Sequence, residues 1–506
     1  MAIKPFIFMM VKNIWLSFFV LLSVALNSQV TELWNVSPSG GLNQHGLIYK
    51  VNGDGSGFEE LVSMDSLNAD NLCSELTLSQ GYVYGFAYQG ASAFLYRVNT
   101  TTRSYEKLIN LPTSISSSRH FSKLTGVNGR YYFISASGGS NGYGGVYAYD
   151  TAAQSILSLT DFSTQTGLYS ISNNSSTRGR IPSLVLADSS LYNVATLGGQ
   201  FSKGTIYKYT PSTNDFDVVF NFGGNNSKAG YPMSDLIAID NYSLLGFSSD
   251  THSTTNLNAT IIFSFHKSSN SLYEMRQLSN FDGAAVGGQI AYAPDGYIYA
   301  SARFGGYYGC TPIQDYGCGT LIRYRPNDDF FEKLYDFQNV LVGPDPYNNY
   351  NFFNPGVTLG YDGNIYSTAG AIDYSYAYQF NIGTKTMIKI LDHVDSTMLA
   401  DNGYFNFVNV TNGYLDINDE SISNIDVKVY PNPATQVVNI ELRTNEHLGN
   451  STFEIFDLLG RRQYKSSSDE KLFQANVEGL TAGLYCWKYS TAKGTKTGKL
   501  LIATHD

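Results

Sequence analysis

Short stretches of alternating apolar and polar residues, separated by polar turns, run along most of this chain, and one unit of them repeats. Its clearest copy is residues 204–216, Gly-Thr-Ile-Tyr-Lys-Tyr-Thr-Pro-Ser-Thr-Asn-Asp-Phe. A period of two marks a strand with one face buried, so the segment predicts a strand, a turn and a second strand. The same central strand returns at 47–50, 94–97, 145–148, 205–208, 261–264, 321–324 and 377–380. Those seven copies recur every 47 to 60 residues. Repetition on that scale is the mark of an array that builds one small sheet per period.

Each period divides into four strands, here A to D. In the sixth they are 289–293, 297–301, 320–324 and 330–335. Asp295-Gly296 joins A to B; both central residues of such a tight turn favour positive φ. The corresponding A-to-B turns are Gln80-Gly81, Asn128-Gly129, Ser189-Ser190, Asp240-Asn241 and Asp362-Gly363. The first copy lacks an A strand and has only 33–36 for B. Residues 397–403 carry the missing A-strand form, so the end of the array is expected to complete the first blade, with 404–408 competing with 33–36 for the B position. The fold class predicted is all-β: a seven-bladed β-propeller over 30–415, followed by a small Ig-like β-sandwich. A stacked solenoid is the competing architecture, but four-strand units of this length match propeller blades better than solenoid rungs.

Composition agrees with an all-β chain. Of 506 residues, 39 are Tyr, 30 Phe and 48 Gly, which suits pleated sheets and tight turns. The net charge of -10, with no basic stripe, argues against nucleic acid as a partner. At the N-terminus, Lys4 and Lys12 precede an apolar run over 14–26 and then Asn27-Ser28-Gln29, the pattern of a signal peptide over 1–28. That run falls short of the roughly 18 to 20 residues that span a bilayer, so no transmembrane anchor is expected after cleavage. Cys310 and Cys318 flank one Gly-rich loop, and in an oxidising compartment a disulfide between them contributes about 2 to 3 kcal/mol on the loop-entropy account. Cys73 and Cys486 read as buried thiols, and no cysteine pair has zinc-ligand spacing.

Asp-Gly followed by aromatic-x-Tyr, a Gly-rich loop and Gly-x-Ile-Tyr-Lys, clearest at 40–61 and 183–220, resembles the GloVer tandem repeats of bacterial surface proteins. That resemblance implies an extracellular propeller-like array and no particular reaction. A polar, acidic linker over 416–426 then leads to a domain over 427–506 with strands at 427–430, 438–442, 453–457 and 484–489. Its landmarks are Tyr430-Pro431-Asn432-Pro433, a segment containing Asp457 and Gly460, a segment containing Gly483 and Tyr485, and a final strand with Lys499. Together they closely resemble the type A C-terminal sorting domain of the type IX secretion system of Bacteroidetes. The resemblance implies export through the periplasm and across the outer membrane, with the secretion machinery as a partner. It also implies that the domain is removed and the cargo released or attached to surface lipopolysaccharide.

The A-to-B and C-to-D turns are short, whereas the B-to-C and D-to-A connections are long and variable. In an up-and-down blade the long connections leave on one side, and that side is the candidate functional face. Tyr307, Tyr308, Tyr316, Tyr347, Tyr350, Phe352, Tyr374 and Tyr376 fall there beside several Asn residues, a composition suited to stacking on sugar rings, or else to packing the loops themselves. His45, His120, His252 and His393 are scattered over the same connections without forming a triad or a metal set. The residues that open the A strands, Glu75, Lys123, Ser183, Asp235, Gln289 and Gly356, are expected to ring the channel mouth. Residues 52–57 imitate a calcium loop but lack its terminal Glu. No cofactor and no metal is implied. The reading is a secreted or surface-displayed propeller that binds an extracellular glycan. The alternatives are a polysaccharide-degrading lyase or hydrolase using His252 and Asp235, or a structural adhesion protein with a surface protein as partner.

Overall fold

The computed structural model describes residues 31–38, 40–65, 69, 71–116, 118, 120–168, 181–224, 228–249, 260–279, 281–306, 319–337, 356–371, 374–392, 407–410, 427–432, 434–442, 451–456, 462–480, 483–491 and 494–502. The segments expected as signal peptide (1–28) and linker (416–426), and the cysteines Cys310 and Cys318, lie outside them. Among the described residues the chain is all-β, interrupted by one 3-10 turn at Pro326–Asp328. Among the described residues, seven antiparallel sheets built on four-strand paths lie between Glu32 and Asn409.

The fourth sheet shows the plan. Val185–Ala187, Ser190–Ala195, Thr205–Thr210 and Asp215–Asn221 pair in chain order, innermost to outermost. In the second and third sheets both A-to-B turn residues have positive φ, Gln80 and Gly81 at 50° and 77° and Asn128 and Gly129 at 54° and 74°; in the sixth and seventh only the glycine does, Gly296 at 81° and Gly363 at 79°, and in the fifth neither Asp240 nor Asn241 does. In the fourth sheet the turn is Asp188-Ser189, at 50° and 62°, one residue earlier than the sequence pattern indicates. Asp tolerates the left-handed region better than Ser, which pulls the turn towards it.

The recurring aromatic marks a repeated irregularity. In all seven sheets the C-to-D register shifts at the same place, after Ile48, Leu95, Val146, Ile206, Ile262, Leu321 and Ala377. One residue of the outer strand is left unpaired there, and such bulges bend a strand and strengthen its twist. The next residue is Tyr49, Tyr96, Tyr147, Tyr207, Phe263 or Tyr378 in six sheets, each nearly inaccessible to solvent. In the sixth sheet this register position belongs to Ile322, not Tyr324.

Both faces of every blade are apolar, so each must be covered by a neighbour. Seven buried clusters do this among the described residues. Trp34, Ile48, Val83 and Phe94 join the first and second sheets. Later clusters join second to third, third to fourth, fourth to fifth, fifth to sixth and sixth to seventh. The seventh cluster joins Tyr366, Ala377 and Ile390 of the last sheet to Leu33, Leu47 and Tyr49 of the first. The cycle is closed. Closure uses both ends of the array: Glu32–Ser37 takes the B position, and Val408–Asn409 pairs with it as strand A through Leu33–Asn409 and Trp34–Val408. The A position expected for 397–403 is thus filled by Val408–Asn409, and 33–36 keeps the B position; residues 393–406 lie outside the described residues. The two contenders occupy different positions because Val408–Asn409 is the inner strand.

A separate two-sheet sandwich follows. Val427–Tyr430, Val437–Leu442 and Leu472–Asn476 form one sheet. Ser451–Phe456, Arg462–Ser468, Gly483–Thr491 and Gly494–Ile502 form the other. Val438, Ile440, Phe453, Ile455, Trp487 and Leu500 fill the space between them. Trp487 lies across Gly498, where an added Cβ would stand 2.4 Å from the indole. That contact explains a glycine inside a strand that otherwise favours larger residues.

Trp34 is wholly buried at the closing seam, and the Arg103 guanidinium lies 4.7 Å above its ring. Trp34→Ala is expected to lower the unfolding free energy by about 3 to 5 kcal/mol. Denaturant titration of the full chain checks this, and an unchanged midpoint would show that the first blade does not depend on that side chain.

Candidate functional site

Two sets of residues stand on the end of the ring from which the long connections leave. The first surrounds the axis. Ser74, Ser122 and Ser234 each accept the amide hydrogen of a B-strand residue, Phe86, Ile134 and Phe247, at 2.8 to 2.9 Å. Each hydroxyl donates to the carbonyl of its following residue, Glu75, Lys123 or Asp235, at 2.8 to 3.1 Å. Neighbouring strand ends are tied in turn. Thr77 Oγ1 accepts from the Leu124 amide at 2.9 Å, and Thr125 Oγ1 donates to the Leu184 carbonyl at 2.8 Å. Thr358 Oγ1 donates to the Phe407 carbonyl at 2.8 Å.

The predicted polar ring is thereby assembled. Asp235 Oδ1 accepts from the Ser183 amide at 2.7 Å, while the Asp235 amide donates to the Gly288 carbonyl at 3.0 Å. Gln289 and Gly356 meet in a parallel bridge. Lys123, from the third sheet, reaches the Gln289 side chain of the sixth, and its ammonium lies 3.5 Å from the buried Glu75 carboxylate. Its charge offsets the cost of holding that carboxylate away from water. The Lys123–Gln289 contact spans the axis, so the ring acts as a strut between blades that are not neighbours. The Ser-x-Leu signature at 74–76, 122–124 and 234–236 was a legible signal for the supporting serines.

The second set is a crown of B-to-C loops. In the third, fourth and sixth sheets a glycine pair follows strand B, Gly138-Gly139, Gly198-Gly199 and Gly305-Gly306, with φ between 71° and 101°. The amide of each second glycine donates to a carbonyl of the preceding D-to-A connection, Ser114, Thr164 and Phe281, at 2.9 to 3.1 Å. An added Cβ on Gly199 would stand 2.6 Å from Thr205 Cγ2 and 2.7 Å from Asn221 Oδ1, so both conformation and space require glycine. The next amide is taken by the residue that ends strand D: Asp161 accepts from Ser140 at 2.9 Å and Asn221 from Gln200 at 2.8 Å. The first sheet uses Ser63 Oγ for the Leu42 amide at 3.0 Å. These loops are thus fixed at both ends and expose what lies between. Tyr143 and Phe201 stand on two of them, 40% and 44% accessible. On the D-to-A connections beside them Met233 is 37% and Phe281 57% accessible.

Of the aromatic residues singled out from the sequence, Tyr307, Tyr308, Tyr316, Tyr347, Tyr350 and Phe352 lie outside the described residues, as do His252 and His393. Tyr374 opens the strand Tyr374–Asn381. Tyr376 is half-buried beside Tyr378, with 6.4 Å between ring centroids, and burial raises its hydroxyl pKa to about 12. It packs against the sixth-to-seventh cluster. Cys73 is buried and Cys486 half-buried, both as thiols. The calcium-like turn is closed on itself, with Asp54 Oδ1 accepting from the Ser56 amide and hydroxyl at 2.9 and 2.7 Å. Among the described residues no three His, Cys, Asp or Glu side chains are placed to hold a metal.

In the C-terminal sandwich Tyr430 precedes Pro431 through a cis bond, and its carbonyl accepts from Asn439 at 3.2 Å. Pro431 and Asn432 are exposed, and Tyr485 is buried between the sheets. Gly483 opens the strand Gly483–Thr491, and Lys499 pairs with Cys486. Pro433, Asp457 and Gly460 lie outside the described residues.

Residues 428–503 match the family described as secretion system C-terminal sorting domain. The type IX sorting domain is therefore present, and the chain is exported to the cell surface or secreted. Among the described residues no helix is long and apolar enough to cross a membrane. An endo-acting ulvan lyase of Formosa agariphila is 33% identical over 89 residues, which is 17% of this chain and 17% of that protein. The chain thus matches about a sixth of the length of that relative. Among solved structures, a GH74 enzyme of Niastella koreensis aligns at 9% identity and a TM-score of 0.41, over 94% of this chain and 75% of that one. A protein from Lactobacillus plantarum aligns at 10% identity and 0.48, over 75% and 99%.

Asp161 links the crown to strand D. Burial works to raise its pKa, but the hydroxyl and amide of Ser140, with the Tyr147 hydroxyl, outweigh this and hold the carboxyl below its ordinary range. A carboxylate whose folded pKa is depressed stabilises the protein fully above its unfolded value of about 3.9, and that contribution disappears as pH falls through the folded value. The melting temperature of the wild type should exceed that of Asp161→Asn at neutral pH, and the gap should narrow below about pH 4. A gap independent of pH would remove the carboxylate from this role.

Proposed function

We propose that this exported protein is a propeller that binds an extracellular glycan on the face carrying its long connections. The observation that carries the reading is the crown: glycine-pinned loops that hold exposed rings at fixed positions beside amide and hydroxyl side chains. Flat rings cover the apolar faces of sugars at little entropic cost, and neighbouring amides supply directional hydrogen bonds. Tyr307, Tyr308, Tyr316, Tyr347, Tyr350, Phe352, Tyr374 and Tyr376, which the sequence assigns to the sixth and seventh repeats, are the further residues proposed for the site. The repeat's likeness to GloVer arrays of surface proteins is consistent with that role.

A second reading, a polysaccharide-cleaving enzyme, draws on the 33% identity with the ulvan lyase, although the match covers 17% of each chain. Asp235 and His252 are its acid–base candidates. In the described geometry Asp235 Oδ1 accepts from the Ser183 amide and so ties the fourth sheet to the fifth. That role fits a strut as well as it fits catalysis.

Glycan-array binding with mass spectrometry of every hit separates the readings. Binding without cleaved product is expected, weakened about tenfold or more by Tyr308→Ala or Tyr350→Ala, the scale of one lost stacking platform. Cleaved product would put the enzyme first, and binding that ignores both substitutions would remove the proposed shelf. For export, a chain lacking residues 427–506 is expected to accumulate in the periplasm, assayed by cell fractionation. Normal surface delivery of that chain would overturn the role of the C-terminal domain.

A further inference from the structure

Four exposed apolar side chains of the crown stand over the third to sixth blades. Tyr143 stands on the B-to-C loop of the third sheet and Phe201 on the equivalent loop of the fourth. Met233 lies on the connection from fourth to fifth, and Phe281 on that from fifth to sixth. All four leave the sheets at the end where the A strands begin, so they form an arc over consecutive blades. Backbone bonds hold the arc in place: the Tyr231 amide donates to the Lys203 carbonyl at 2.7 Å, and the Gly306 amide to the Phe281 carbonyl at 3.1 Å. Exposed apolar side chains fixed in this way on one face mark an interaction surface better than scattered ones do.

The chemistry around the arc narrows the occupant. Ser140 lies on the same loop as Tyr143, and Gln200 and Ser202 flank Phe201 on its loop, so each ring has polar side chains beside it in the chain. The carboxylate of Asp282 accepts from the Ser279 hydroxyl at 2.6 Å and amide at 3.1 Å. The stem of Lys203 lies over Gly223 and Gly230. The whole chain carries -10, so a polyanion approaches against the protein's own field. Platforms on successive blades suit a ligand that presents one flat face after another, which is an extended polymer and not a single sugar.

Building on the glycan reading above, we infer that the arc from Tyr143 through Phe201 and Met233 to Phe281 extends the site and selects long, uncharged polysaccharide chains. Affinity then rises with chain length, because each added platform engages without a second loss of translational freedom.

The test uses the full chain and titrates oligosaccharides from cellulose, xylan and mannan, from disaccharide to dodecasaccharide, with polygalacturonate as the charged control. Affinity for a neutral series should climb with length. The double variant Tyr143→Ala/Phe201→Ala should lose about tenfold or more on the long chains, a larger factor than on the short ones, and melt at the wild-type temperature. Phe281→Ser, at a separate connection, should reproduce the loss on long chains. Affinity that does not depend on length, preference for polygalacturonate, or unchanged binding by these variants would overturn the arc. If short sugars still bind through Tyr308 and Tyr350 while the arc variants bind long chains normally, the arc alone falls. If no sugar binds at any length, the glycan reading falls and the arc with it.

Discussion

Everything in the repeat array depends on the first sheet, where the two ends of the array pair. A blade of this composition has two apolar faces, and in a linear row the terminal faces would remain in water. Two residue pairs, Leu33 with Asn409 and Trp34 with Val408, bring the ends into one sheet. The cluster of Leu33, Tyr49, Tyr366 and Ile390 then buries the last pair of faces. The pairing is short, but it converts six shared cores into a closed cycle of seven. Burial of large side chains at about 25 cal/mol per Å² outweighs what so few backbone bonds contribute.

Closure also creates the axis, and the axis is occupied. Inner strands converge where their polar opening residues meet, and a buried carboxylate such as Glu75 is tolerable there because the ammonium of Lys123 stands beside it. The long reach of lysine lets it touch Gln289 on a non-neighbouring blade. A frame built this way resists ovalisation of the ring, and loops mounted on it keep their relative positions. The glycine pairs carry that rigidity outward, since their amides are anchored to the previous blade and, in the third and fourth sheets, the following amide to strand D of their own. Variable residues can then change on a constant support.

The C-terminal sandwich follows other rules. Its core is a single layer between two sheets, with Phe453, Trp487 and Ile440 at the centre. The division is one of labour. The sorting domain carries the information for export, and the proposed function places the interaction surface on the propeller.

Local pattern was enough to read much of this. Alternation and turn chemistry located the strands, the seven repeats and the sandwich, because a buried face every second residue and a positive-φ turn leave direct marks in the residues. The polar ring was legible for the same reason, since each member precedes the same apolar position of strand A. Other features needed the assembled structure. Which segment closes the first sheet depended on pairing between residues some 375 positions apart, and 404–408 and 33–36 look equally strand-like when read alone. The bulge position of Ile322 depended on register with the outer strand, which local hydrophobicity does not encode. The Lys123 strut and the exposed arc of Tyr143, Phe201, Met233 and Phe281 arise where separate blades converge. Their neighbours are set by the curvature of the ring, a property of the packed whole and not of any one repeat.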